Sequence, residues 1–201
     1  CLVRDTAALQ QLVAVLVAKQ QEAEPQNLAN SLWAVATMGQ QLPAGQVQQL
    51  VAALLAKQQE ATPQALANTL WALAEMRFCF PPLVLQLAAA LMQRVADATP
   101  QAISNTAMAL AKLDCSSPQL FEGLVEAMQQ QLTAQQSWNT QALGNLCWAV
   151  KVADQRQCAP QVLALCRRLA GDPQLWASVV KEDLTQLHQV HLWLCNWQPP
   201  A

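Results

Sequence analysis

One stretch of amino acids occurs twice in this chain at a fixed distance, and that repeat limits the fold more than any other feature. Residues 9–26, LQQLVAVLVAKQQEAEPQ, return at 47–64 as VQQLVAALLAKQQEATPQ, an offset of 38. Residues 28–38, LANSLWAVATM, return at 66–76 as LANTLWALAEM with the same offset of 38. Weaker copies follow as ISNTAMALAKL at 103–113 and LGNLCWAVKVA at 143–153. Aligned on Asn30, Asn68, Asn105 and Asn145, the steps are 38, 37 and 40. A degraded fifth copy, LTQLHQVHLWL at 184–194, places Gln186 where the Asn stood, a step of 41. A period of this size is the signature of an array of stacked supersecondary units.

Each unit reads as two helices. The first, helix A, opens at Thr62-Pro63-Gln64 or Thr99-Pro100-Gln101. There Thr suits the N-cap, because its oxygen accepts from an orphan amide, and Pro suits the first helical position. Apolar residues at 28, 32 and 35 and at 29, 33 and 36 make a wide stripe at helical spacing. The small Ala29, Ala34, Ala36, Ala67, Ala72 and Ala74 let neighbouring helices approach closely. Trp33, Trp71 and Trp148, replaced by Met108 in the third unit, fill larger gaps and read as core before anything else. Helix B follows a second Pro (Pro43, Pro82, Pro118, Pro160) and runs, for example, from Gln46 to Lys57. Neither helix buries its stripe alone, so the units must stack. The expectation is an all-α, right-handed α-solenoid of about five repeat units occupying residues 1–201 as a single repeat domain. It begins with a lone B helix near 6–20 and ends with an A helix near 183–195.

Composition agrees. Hydrophobic residues make up 53% and charged ones 12%, too apolar for a disordered chain. Only 5 Gly and no Tyr argue against a sandwich or barrel. The net charge of −2 excludes nucleic-acid binding driven by bulk charge, so any nucleic acid must be held locally. The 7 Cys are odd in number and never spaced as CxxC, which reads as buried free thiols in a reducing compartment. The longest charge-free run, Pro25 to Ala56, carries Asn27, Asn30, six Gln and Pro43 and cannot cross a bilayer. The chain opens inside a helical pattern and reads as a segment of a longer protein, with any targeting signal outside it.

The phrases PQxLANxLWAxAxM at 25–38 and 63–76, with SNTAMALAKL at 104–113, resemble the first-helix signature of the octotricopeptide repeat family, named for its 38-residue unit. A similar degenerate repeat occurs in FAST-kinase-like mitochondrial proteins, and LTQLHQVHLWL resembles the element that often precedes a RAP domain. No RAP domain is present, so its nuclease-like chemistry is not carried over. The resemblance implies an organellar RNA-binding module, in chloroplast stroma or mitochondrial matrix, acting in transcript processing, stability or translation.

No nucleotide-binding loop or nucleophile elbow is present, so no enzyme, cofactor or small-molecule substrate is expected. His188, His191 and Cys195 share a face of the last helix at i, i+3 and i+7, but without a fourth ligand they read as packing residues, and no metal is expected. Lys19, Lys57 and Arg94 recur at the ends of B helices, either as a phosphate track or as cations suited to helix C-termini. At about 100° per residue, positions 26, 30, 34 and 37 of helix A cluster opposite Leu28 and Leu32. Gln26, Gln64, Gln101 and Gln141 are constant there, as are Asn30, Asn68, Asn105 and Asn145, whereas Thr37, Glu75, Lys112 and Val152 vary. The constant Asn reads either as a hydrogen-bond ladder between repeats or as the frame of a reading surface. The variable position reads either as the letter beside that frame or as a freely drifting last turn. Two functions follow: a single-stranded RNA binder reading about one base per unit, or a protein-binding scaffold of the armadillo or HEAT kind. The low charge favours the second, and the family resemblance favours the first.

Overall fold

The computed structural model describes residues 6–115, 117–134 and 140–197, and no strand occurs among them. The helices are α1 (Thr6–Ala18), α2 (Pro25–Thr37), α3 (Ala44–Ala56), α4 (Pro63–Glu75), α5 (Pro81–Met92), α6 (Pro100–Lys112), α7 (Pro118–Ala134), α8 (Thr140–Val152), α9 (Ala159–Gly171), α10 (Pro173–Ala177) and α11 (Lys181–Cys195). They form two layers. The A helices α2, α4, α6, α8 and α11 stack in chain order, and the B helices α1, α3, α5, α7 and α9 stack behind them. The all-helical solenoid expected from the repeat is the observed fold. One element is extra: the short α10 lies between α9 and α11, inside the longest repeat step.

The boundaries have local causes. Pro25, Pro63 and Pro100 occupy first-turn positions, and Thr62 and Thr99 accept from Ala65 N at 3.1 Å and Ala102 N at 3.2 Å. Each of the first four A helices stops at one left-handed residue: Gly39 (φ 65), Arg77 (φ 53), Asp114 (φ 52) and Asp154 (φ 47). The amide after each reaches back five residues: Gln40 N to Val35 O, Phe78 N to Leu73 O, Cys115 N to Leu110 O and Gln155 N to Val150 O, at 2.9–3.1 Å. This is the Schellman closure, and it uses carbonyls that the helix leaves unpaired.

Leu28, Leu32, Leu66, Leu70, Ile103 and Leu110 are fully buried on the A side, as are Leu54, Leu87 and Leu91 on the B side. The register that corresponds to Ala29 holds Ala67, Ser104 and Gly144, all buried. With so little side chain between them, successive A helices bring their backbones within 8 Å far more extensively than successive B helices do. Buried Thr69 and Thr106 donate to the carbonyls of Ala65 and Ala102 one turn back, which satisfies their hydroxyls inside this tight layer.

The B-helix cations serve the seams. Lys57 Nζ donates to Gln21 O at 2.6 Å and Ala23 O at 2.8 Å, and Arg94 Nη1 donates to Ala61 O, the same position one repeat later. Gln131 donates to Ala96 O at 3.0 Å and Arg168 to Leu132 O at 3.2 Å. Lys57 and Arg94 stand at the C-terminal ends of their helices, as the spacing suggests, and there each ties its repeat to the corner of the preceding one.

Candidate nucleic-acid interface

The outward line of helix A runs through Gln26, Asn30, Trp33 and Thr37, spaced i, i+4, i+7 and i+11. Position 34 does not belong to it: Ala34 is half-buried, and its equivalents Ala72, Ala109 and Ala149 are buried. Trp33 lies there instead, 43% exposed, with Trp71, Met108 and Trp148 half-buried behind it. Trp33 and Trp71 stand in a tilted contact, ring centroids 6.2 Å apart at 35°. Trp33 thus faces the surface, as its i, i+4, i+7, i+11 spacing with Gln26, Asn30 and Thr37 signals, whereas Trp71 and Trp148 pack against the core with one edge exposed.

The constant amides pair within their own helix. Gln26 Nε2 donates to Asn30 Oδ1 at 2.9 Å, Gln64 to Asn68 at 2.7 Å and Gln101 to Asn105 at 2.9 Å. The link between repeats runs through the Gln: Thr62 Oγ1 donates to Gln26 Oε1 at 3.3 Å, and Thr99 Oγ1 to Gln64 Oε1 at 3.4 Å. One N-cap hydroxyl thus caps its own helix, holds the preceding Gln, and through it orients the preceding Asn. The fourth copy departs from this. Gln141 is exposed, and Asn145 Oδ1 accepts across the seam from Gln186 Nε2 at 3.1 Å, the only direct step from one Asn position to the next among the described residues. No protein group among the described residues takes the Nδ2 of Asn30, Asn68 or Asn105, which leaves one amide donor per unit along the stripe.

The variable position divides. Thr37 bonds back to Trp33 O at 2.8 Å, and Val152 is exposed. Glu75 and Lys112 meet across the α4–α6 seam at 2.5 Å. Beside them lies a polar hollow of about 530 Å³ lined by Arg77, Cys79 and Asp114 as well. At the C-terminal end, Trp148 Nε1 and Lys151 Nζ both donate to Gln189 Oε1, and Trp193 Nε1 donates to Asp154 Oδ1 at 2.9 Å. There the stripe is closed by α11.

Cys147 and Cys158 are fully buried and Cys115 nearly so, but Cys79 and Cys195 are exposed, contrary to the expectation of buried thiols; Cys1 lies outside the described residues. Cys195 Sγ is 3.5 Å from His191 Nε2, one turn apart, and His188 is exposed. Among the described residues, no group of three or more His, Cys, Asp or Glu could hold a metal ion. No helix among them is long and apolar enough to cross a membrane.

These features define an all-helical repeat protein with an amide- and tryptophan-bearing face on its tight layer. Residues 1–79 match the family model described as Tbc2 translation factor, N-terminal domain. The matched stretch covers α1 through α4, less than half of the chain. No curated protein matches the sequence.

Proposed function

We propose that this chain binds single-stranded RNA along the A-helix stripe, as a module without catalytic activity of its own in organellar RNA processing, stability or translation. Its place would be the chloroplast stroma or mitochondrial matrix. The observation that carries the reading is the repeated Gln–Asn pair. In three successive units Gln occupies the Asn oxygen and leaves the Asn Nδ2 to donate outward at one-repeat intervals. An oriented amide donor suits the acceptor atoms of base edges, and exposed Trp33 offers a face on which a base can stack. The closer approach of the A helices supports it too, since the layer with the shorter repeat distance lies inside the curve of a superhelix. The translation-factor description of the matched family points the same way.

A second reading, a scaffold for a protein partner, is favoured by one observation. Lys57, Arg94 and Lys112 already bond to protein groups, so few cations remain for phosphates. Selection from a random RNA pool at low salt decides between them. Enrichment that is lost in Asn68→Ala and Asn105→Ala, with both variants folded, supports RNA recognition by the stripe. An unenriched pool rejects it and leaves the scaffold.

A further inference from the structure

We propose that Cys79 and Cys115 are a reversible disulfide site that cross-links two successive repeats, closed by a peroxide and reopened by a dithiol reductant. The two thiols come from different units: Cys79 follows the C-terminal turn of α4, and Cys115 follows that of α6. Their sulfurs lie 3.5 Å apart. Both also sit 3.4 Å from a single acceptor, the carbonyl of Leu113, which holds them facing each other. The Cys115 amide is fixed by its bond to Leu110 O at 3.0 Å, so one half of the pair is anchored to the helix end. Closing the sulfurs to a bond length near 2.05 Å requires a movement that the loop carrying Cys79 can supply.

The two thiols differ in a way that orders the chemistry. Cys79 is exposed and meets the oxidant; Cys115 is buried and does not. Burial first, then the hydrogen bond and charge of Cys79, push the Cys115 thiol up to about 12, so it stays protonated and inert toward solvent. The Cys79 thiolate attacks one peroxide oxygen, the O–O bond breaks, and Cys79 becomes a sulfenic acid while the other oxygen leaves as water after protonation. Cys115 sulfur then attacks Cys79 sulfur, the S–O bond breaks, and the Cys115 proton leaves with the hydroxide as a second water. Two thiols have lost two electrons to the peroxide, and a dithiol returns them by exchange. The new bond would sit at the same seam as the Glu75–Lys112 bridge and fix the spacing of the α4 and α6 ends.

The test treats the purified chain with dilute hydrogen peroxide, alkylates the remaining thiols under denaturing conditions, and maps peptides with trypsin and a Glu-specific protease. Those cuts release Cys79 within 78–94 and Cys115 within 113–122, apart from Cys147. The expected result is a 78–94/113–122 cross-linked peptide from monomeric protein, two mass units below the reduced pair, absent after dithiothreitol. In Cys115→Ser the sulfenic acid has no partner, and Cys79 should proceed to sulfinic acid. In Cys79→Ser, Cys115 should remain fully alkylatable. Wild-type protein that yields sulfinic Cys79 beside free Cys115, or a Cys79-linked dimer, overturns the proposal.

Discussion

Glu75 and Lys112, one repeat apart in the chain, meet as an ion pair at 2.5 Å across the seam between α4 and α6. Both occupy the same register of helix A, so a position that varies from copy to copy is, here, a matched pair of opposite charges. Variation along the array does not by itself separate a base-reading position from a complementary one.

The pair allows a direct comparison of the two roles. Its side chains are 38% and 35% exposed, so solvent screening limits the coupling to about 0.2–1 kcal/mol. Glu75→Lys or Lys112→Glu alone should lower stability in a urea titration by up to about 1 kcal/mol, and exchanging the two should restore most of it. On RNAs selected by the wild type, the exchange should alter the preferred base at two neighbouring positions if these residues read bases. An unchanged preference leaves them a structural bridge.

Lys57→Met removes a charged donor from two backbone carbonyls at the α1–α2 corner. The expected loss is about 1–3 kcal/mol by denaturant titration. The salt dependence of any RNA binding should not move. A log–log slope shallower by about 0.7 in the variant would mean that Lys57 neutralises a phosphate after all.

Thr62 both caps α4 and holds Gln26. Thr62→Ala should cost about 0.5–2 kcal/mol, and Thr62→Ser, which keeps the oxygen, much less. Equal losses in the two variants would show that the methyl group, not the hydroxyl, matters at this seam.

Burial sets the order of truncation effects along the A helices. Leu70 is fully buried, so Leu70→Ala should cost about 2–5 kcal/mol. Trp33, exposed on its outer face, should cost less than half of that when truncated, and half-buried Trp71 should fall between. A Trp33→Ala loss as large as that of Leu70→Ala would contradict the surface position of Trp33.

Alkaline pH should weaken the fold. Burial, and next the charge of Glu122, push the Cys158 thiol up to about 11. An unfolded thiol deprotonates near 8.5, so between about 8.5 and 11 the unfolded chain holds fewer protons and stability falls as pH rises. It is fully present below the unfolded value and lost as pH climbs toward the folded one. Cys158→Ala should make the alkaline decline of unfolding free energy shallower; an identical decline would assign it to other groups.

Much of this was legible beforehand because helix formation and stripe burial depend on residues within a few turns. The Pro and Thr starts, the repeat registers and the two-layer stack follow from spacing alone. The Gln–Asn register was legible as well, but its direction was not: a Gln four residues before an Asn can bond along its helix or across a seam, and only packing decides. Spacing alone puts position 34 outward and Trp33 at the edge of the apolar stripe, whereas the structure exposes Trp33 and half-buries Ala34, because a difference of one residue swings a side chain by about 100° and the sequence does not say where a neighbouring helix touches. The left-handed stops were signalled only once, at Gly39; Arg77, Asp114 and Asp154 adopt the same conformation without a glycine to announce it.

By itself the sequence determined the unit, its two helices and the small-residue register that lets A helices pack closely, since each is a local or strictly periodic property. The tertiary structure decided which side chains meet from one unit to the next: Thr62 with Gln26, Lys57 with Ala23, Glu75 with Lys112, Cys79 with Cys115. Those meetings depend on the stagger and separation of stacked helices, which the packing of the whole layer sets. The cysteines make the point most clearly, since they occupy different registers of the repeat, and only the folded turns after α4 and α6 bring their sulfurs together.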